Sequence, residues 1–311
     1  MIDKEPIITV LGPTATGKTG VAVRIAAELG GEIVSADSRQ VFRRMDIGSG
    51  KDLSEYQYDG QPIPYHLIDI EEPGVEYNVF RYQQAAYEAM EEIRSRSHRI
   101  VFCGGSGMYV EAVLRGYRLF PVPENERLRT ELEKHTDEEL TAMLASYKSL
   151  HNDTDTSERP RLVRAIEIED YYARHPELSE RVRPLDSAVI GLCGERDKIR
   201  ERITRRLQAR LQEGMIEEVK SLLDEGVPAE RLIRYGLEYK FVTQYLLGEL
   251  HYGDMVSLLN TAIHQFSKRQ MTWFRRMERM GFNIRWVNAD LPEEEKFRQI
   301  YHWLHEDGIQ I

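Results

Sequence analysis

The chain has only two cysteines in 311 residues, Cys103 and Cys193, which argues against a disulfide-stapled secreted domain. Long apolar runs are missing too: Ile7 to Leu11, interrupted by Thr9, is far shorter than the roughly 20 residues needed to cross a bilayer. No membrane span is expected. Met1 to Pro6 carries acids and lacks an apolar core, so no export signal is expected and the protein is assigned to the cytoplasm. Both cysteines sit in strand-like apolar runs, ending Phe102-Cys103 and Leu192-Cys193, and are expected to be buried reduced thiols. His66, His98, His135, His151 and His264 have no metal-ligand spacing, which gives a zinc site little weight. Internal repeats and low-complexity tracts are absent. An excess of positive charge is absent as well, since 42 Lys and Arg face 52 Asp and Glu for a net charge of -10.

What is present begins near the amino terminus. Gly12-Pro13-Thr14-Ala15-Thr16-Gly17-Lys18-Thr19 follows the strand-like run Ile7 to Leu11 and opens a helical pattern. Glycines at both ends let backbone N–H groups turn inward, Lys18 brings a compact cation, and the Thr19 hydroxyl can ligate Mg²⁺. This is a phosphate-gripping P-loop. The start of the following helix adds the positive end of its dipole.

Charge is distributed unevenly. Arg196 to Arg210 holds seven basic residues against two acids, and smaller clusters are Arg159, Arg161 and Arg164, then Lys268, Arg269, Arg275, Arg276 and Arg279. A single cluster reads as an ordinary solvated helix face, whereas three in an acidic chain point to a polyanion.

The length suits one large α/β domain with a smaller companion. Strand-like and helix-like segments alternate over the first third: Ile7 to Leu11, Gly17 to Leu29, Glu32 to Ser35, Tyr82 to Arg96, Arg99 to Cys103. That alternation predicts a P-loop NTPase-like parallel sheet flanked by helices, with the ligand at the carboxyl ends of the strands. Gly104-Gly105-Ser106-Gly107 turns beside the same crevice. From Gly116 the texture becomes amphipathic and charge-rich, and Pro184 closes it; strand character returns at Ala188 to Cys193. Residues 116–185 are therefore read as an inserted all-helical domain, and 1–115 plus 186–311 as the core. The run Asn283 to Val287 reads as one more strand, amid mostly helical sequence.

After the second strand, Asp37 lies where its carboxylate faces the acceptor side of the phosphate site and can take a proton from an attacking nucleophile. The plainer reading is a capping box formed with Gln40 three residues on.

Seven blocks in order now carry a resemblance: Gly12 to Thr19, Ser35-Ala36-Asp37-Ser38-Arg39-Gln40-Val41, Met45 to Gly48, His66 to Asp69, Gly104 to Gly107, Arg161 to Ala165, and Lys268 to Phe274. Together they resemble the tRNA dimethylallyltransferase family over nearly the whole chain. The resemblance implies transfer of a dimethylallyl group from dimethylallyl diphosphate to N6 of the adenosine 3′-adjacent to the anticodon. Gly12, Pro13, Thr14, Ala15, Thr16, Gly17, Lys18 and Thr19 would then hold the donor's diphosphate, with a Thr19-bound Mg²⁺ and with Thr14 and Arg206 as further donors. Asp37 would accept the adenine amine's proton or hydrogen bond. Asp37, Ser38, Arg39, Gln40, Ser106 and Arg129 would lie near the flipped base and its neighbours, while Pro160, Arg161, Leu162, Val163 and Arg164 would help the insert grip the anticodon stem-loop. A monomer is expected.

The chain departs from the family pattern in places. Ser106 stands for a usual Thr and keeps the hydroxyl. Asp46-Ile47-Gly48-Ser49-Gly50-Lys51-Asp52 replaces Asp-Ile-Gly-Thr-Ala-Lys-Pro, and Arg234-Tyr235-Gly236-Leu237-Glu238-Tyr239-Lys240 stands where Ala-Ile-Gly-Tyr-Lys is usual. The segment Asp153 to Glu158 is also unusual. Two competing readings are a prenyltransferase acting on free adenylate, which would need no insert, and a P-loop kinase, which explains only the first block.

Overall fold

The computed structural model describes residues 6–96, 98–148, 156, 158–180 and 184–309. The chain divides into two compact units, Met1–Arg115 with Pro184–Ile311, and Gly116–Arg183.

The larger unit is built on a sheet whose strands are β1 (Ile7–Leu11), β2 (Gly31–Ser35), β5 (Tyr65–His66), β6 (Arg99–Gly104), β7 (Ser187–Cys193) and β8 (Ile284–Asn288). Their order is β5-β2-β6-β1-β7-β8, and every pairing is parallel. A two-stranded hairpin of β3 (Gln57–Tyr58) and β4 (Gln61–Pro62) stands apart. Parallel sheets are covered on both faces, so their strands read as continuous apolar runs. In β1, Ile8 and Val10 pack with Val21 and Ile25 of helix α1 (Lys18–Leu29) and with Ile300 and Leu304 of the carboxy-terminal helix (Glu293–Glu306). Ile7 and Leu11 face the other way, against α2 (Val79–Ser95), α3 (Gly107–Arg115) and the 28-residue helix Tyr252–Arg279. Truncating a fully buried residue such as Ile25 to Ala would cost about 3 kcal/mol.

The smaller unit holds α4 (Glu126–Leu132), α5 (Asp137–Tyr147) and α6 (Arg159–Arg174) around Leu132, Leu140, Leu144, Leu162, Ala165 and Ile166. A capping box between Thr136 and Glu139 starts α5. The carboxylate of Glu167, 1% exposed, is held by Arg129 at 3.0 and 3.1 Å, by the Asn125 N–H at 2.6 Å and by Arg164. Burial alone would raise its pKa; the hydrogen bonds outweigh burial and lower it.

Back in the larger unit follow α7 (Arg196–Glu213), α8 (Met215–Asp224), α9 (Ala229–Tyr235) and α10 (Leu237–Leu246), then α11, the helix Tyr252–Arg279. The final helix is α12. Helices α7 to α11 share a second core with Val41, Phe42 and Met45. Among the described residues, no helix is long and apolar enough to cross a membrane. Residues 153–155, Ser157 and His151, noted in the sequence, lie outside the described residues.

Candidate active site

Strand β1 is central in the sheet, and its carboxyl end turns through Gly12 to Gly17 into α1. Gly12 has φ of 156°, and a Cβ there would lie 2.6 Å from the Leu192 carbonyl oxygen of β7. The loop is therefore wedged against the sheet, which only glycine permits. The Thr16 hydroxyl closes it locally by donating to the Pro13 carbonyl at 2.8 Å, and Lys18 Nζ donates to the same oxygen at 3.1 Å.

A cleft of about 380 Å³ opens beside this loop. Of the residues singled out in the sequence, Thr14, Ala15, Gly17, Lys18, Thr19, Asp37, Gln40 and Arg206 line it. Gly12, Pro13 and Thr16 form the backbone beneath, and Ser38, Arg39 and Ser106 join it through hydrogen bonds behind Asp37. The Arg206 guanidinium donates to the Thr14 hydroxyl, bringing α7 onto the P-loop. Burial and the neighbouring Arg210 lower the pKa of Arg206 to about 10, and burial lowers that of Lys18. Two desolvated cations therefore stand at the P-loop end of the cleft, where an anionic group would offset the cost of their burial.

Asp37 follows β2 and accepts a 2.8 Å hydrogen bond from the Arg39 N–H. The Ser38 N–H donates to the Ser106 hydroxyl at 3.1 Å, tying this turn to the glycine turn after β6. That approach depends on Gly104, where a Cβ would collide with the Ala36 carbonyl. The capping-box expectation is corrected, because residues 38–41 form turns with no helix after them. Gln40 reaches instead to the Gly50 carbonyl at 3.4 Å and the Ser35 hydroxyl at 3.5 Å. The Asp37 carboxylate thus braces a turn and still faces the cleft.

Cys103 is buried at the cleft, and burial pushes its thiol up to about 12. Cys193, the last residue of β7, is only half-buried, short of the full burial expected for it.

The insert residues separate by helix geometry. Leu162 is fully buried in the core of α4 to α6, so its side chain serves packing. Arg129 and Arg164 are bound to Glu167. Pro160 and Arg161 are exposed, Val163 is half-buried, and Arg161 has Glu158 at 3.4 Å as an ion-pair partner. Arg159 closes the start of α6 on Asp137 and the His135 carbonyl.

Three residues at the site had no individual role assigned from the sequence. Arg210, one turn after Arg206, lines the cleft with its side chain 13% exposed, and Glu238 lies 3.9 Å away. The i,i+4 spacing from Arg206 was the available signal. Glu218 of α8 accepts from the N–H groups of Asp46, Ile47 and Gly48 at 2.9, 2.6 and 3.0 Å and from the Tyr239 hydroxyl at 2.8 Å, pinning a loop that lines the cleft. Gln270 of α11 reaches both the P-loop and the glycine turn.

The fold and site define a P-loop-like α/β protein in which the glycine-rich loop after β1 and the carboxylate of Asp37 line one cleft. The sequence profile of a family described as IPP transferase matches residues 40–277. A tRNA dimethylallyltransferase 2 of Bacteroides fragilis is 56% identical over 301 residues, covering 96% of this chain and 98% of that one. A tRNA dimethylallyltransferase 1 of Porphyromonas gingivalis is 56% identical over 290 residues, covering 93% and 96%. Among solved structures, the full-length tRNA isopentenylpyrophosphate transferase of Bacillus halodurans superposes with a TM-score of 0.72 at 30% identity, covering 98% of this chain and 97% of that one. A eukaryotic dimethylallyltransferase acting on tRNA shares the fold, with a TM-score of 0.79 at 19% identity over 99% of this chain and 81% of that one. The chain belongs to the IPP transferase family, and it is a transferase. The kinase reading is thereby set aside.

Proposed function

We propose that the protein transfers a dimethylallyl group from dimethylallyl diphosphate to N6 of the adenosine 3′-adjacent to the anticodon in tRNA, releasing pyrophosphate. The observation that carries this reading is the convergence of the P-loop, Lys18, Arg206 and Asp37 on a single cleft. The loop amides, Lys18, Arg206 and Arg210 would hold the diphosphate and stabilise the charge that grows on it as the allylic C–O bond breaks. Asp37 would orient the adenine amine and take its proton as the new C–N bond forms.

A Mg²⁺ ion fits the donor set present. Among the described residues, no cluster of three or more His, Cys, Asp or Glu is suited to a metal. Mg²⁺ commonly keeps several waters and binds through substrate phosphates plus one or two protein oxygens, and Thr19, which lines the cleft, would supply one. The ion would add charge neutralisation to the diphosphate.

The target base must leave its stack to reach Asp37, and the insert would help hold the stem-loop through Arg161 and Pro160. Ser38, Arg39, Gln40 and Ser106 would shape the acceptor side. A cytoplasmic, monomeric enzyme belongs to this proposal, the first because the acceptor is tRNA.

Incubation with labelled dimethylallyl diphosphate and either an unmodified anticodon stem-loop or AMP tests the reading. Label is expected in the RNA alone. Label on AMP alone would make the protein an adenylate prenyltransferase, and turnover of ATP without prenyl transfer would sink the proposal.

A further inference from the structure

Helix α11 carries a buried stripe of Met255, Leu259, Ile263, Ser267, Gln270, Phe274 and Met277. Gln270 is 7% exposed, and its amide is engaged at both ends. Its Oε1 accepts the Thr14 N–H at 2.9 Å and its Nε2 donates to the Gly105 carbonyl at 2.8 Å. These partners lie 256 and 165 positions away in the chain.

Each partner belongs to a different half of the site. Thr14 is in the phosphate cradle, and its hydroxyl receives Arg206. Gly105 precedes Ser106, whose hydroxyl holds the N–H of Ser38, the residue after Asp37. A Cβ on Gly105 would lie 2.6 Å from Gln270 Nε2 and 3.3 Å from the Gly12 carbonyl oxygen, so glycine at this position is what lets the two loops meet over the amide. The task needs a side chain that accepts at one end and donates at the other with this reach. Glutamate has no donor, methionine has neither function in useful strength, and asparagine is one methylene shorter.

We infer that Gln270 is a positioning residue that sets the spacing between the donor's diphosphate cradle and the acceptor carboxylate of Asp37, so that the allylic carbon lies between leaving oxygen and attacking nitrogen. This rests on the function proposed above. A misplacement of about 1 Å between reacting groups costs on the order of 100-fold in rate, while each substrate still meets its own binding groups. Loss of Gln270 therefore lowers kcat and leaves both binding constants nearly untouched.

The test compares wild type with Gln270→Met, which keeps volume and removes both hydrogen bonds, and Gln270→Glu, which keeps only the acceptor arm. Steady-state kinetics with dimethylallyl diphosphate and an anticodon stem-loop are read beside the Kd for pyrophosphate alone, which reports an intact cradle independently of turnover. The expected result is a kcat lowered about 100-fold in both variants. In Gln270→Met, the two KM values and the pyrophosphate Kd should stay within about threefold of wild type. The added charge of Gln270→Glu makes kcat its only diagnostic. Unchanged kcat in variants that still bind pyrophosphate overturns the inference. So does a loss in Gln270→Met confined to the KM for RNA, which would make Gln270 an RNA contact, or confined to the donor KM, which would limit it to shaping the cradle. Wild type is assayed first: if it transfers nothing, the proposed function fails and the inference falls with it, whereas active wild type with equally active variants overturns the inference alone.

Discussion

The guanidinium of Arg210 lies against the Cα of Gly50, so close that a Cβ at position 50 would overlap it. Gly50 also has φ of 71°, in the left-handed region. Gly50→Ala should therefore cost about 1 kcal/mol in backbone strain and push Arg210 out of the cleft. Pyrophosphate affinity, measured by calorimetry, should fall in Gly50→Ala and in Arg210→Ala. The double variant should be little worse than Arg210→Ala, because both changes remove the same contact. Additive losses would detach Arg210 from the anion site.

Asp37 has two jobs that separate chemically. Asp37→Asn keeps an oxygen to accept the Arg39 N–H and removes the base; Asp37→Ala removes both. Both variants should lower kcat by about 100-fold or more with pyrophosphate binding preserved, and only Asp37→Ala should lose about 1 kcal/mol of stability. A normal kcat in Asp37→Asn would leave the carboxylate as a turn brace.

Arg161 and Arg164 are three residues apart yet should respond differently. Arg161 is exposed, so Arg161→Glu should weaken RNA binding and lower the slope of log Kd against log salt by about 1. Arg164→Glu places a like charge beside buried Glu167, and unfolding of the insert should become easier by about 3 kcal/mol. Salt-titrated RNA binding and thermal melts distinguish the two; a salt slope unaltered by Arg161→Glu would remove that arginine from the RNA surface.

Glu32 predicts acid sensitivity. Hydrogen bonds from Arg96, then His66 and His98, lower its pKa from 4.5 to about 2 against the opposing effect of burial. Because the folded value is depressed, the ionised carboxylate stabilises the fold fully above about 4.5, and this contribution disappears as pH falls towards about 2. Glu32→Gln should lose about 3 kcal/mol near neutrality and flatten the acid limb of a stability-against-pH curve measured by urea unfolding. An acid limb as steep as that of wild type would assign the sensitivity to other carboxylates.

Legibility followed the range of the interactions. The P-loop, the strands before and after it, and Asp37 at the end of β2 are written in contiguous residues whose periodicity and turn chemistry act locally. The Arg161 to Arg164 block divides for the converse reason. As a contiguous motif it hides the 100° rotation per residue that turns Leu162 into the core and sets Arg164 on Glu167. Glu218 gave no local sign, because its backbone partners are 170 to 172 positions away. A polar residue in the buried stripe of α11 was the one visible hint of Gln270, since such a residue demands a partner.

By itself the sequence determined a parallel α/β core, the glycine-rich loop after its first strand and the family to which the chain belongs, because apolar period, glycine placement and ordered motifs are properties of neighbouring residues. Tertiary structure decided where each charge stands: Arg206 on the Thr14 hydroxyl and Arg210 against Gly50 line the cleft, while Arg164 is paired with Glu167. It also decided that one amide on α11 joins the two halves of the site. Such choices depend on burial and on partners far along the chain, and desolvation makes each satisfied or unsatisfied polar group count.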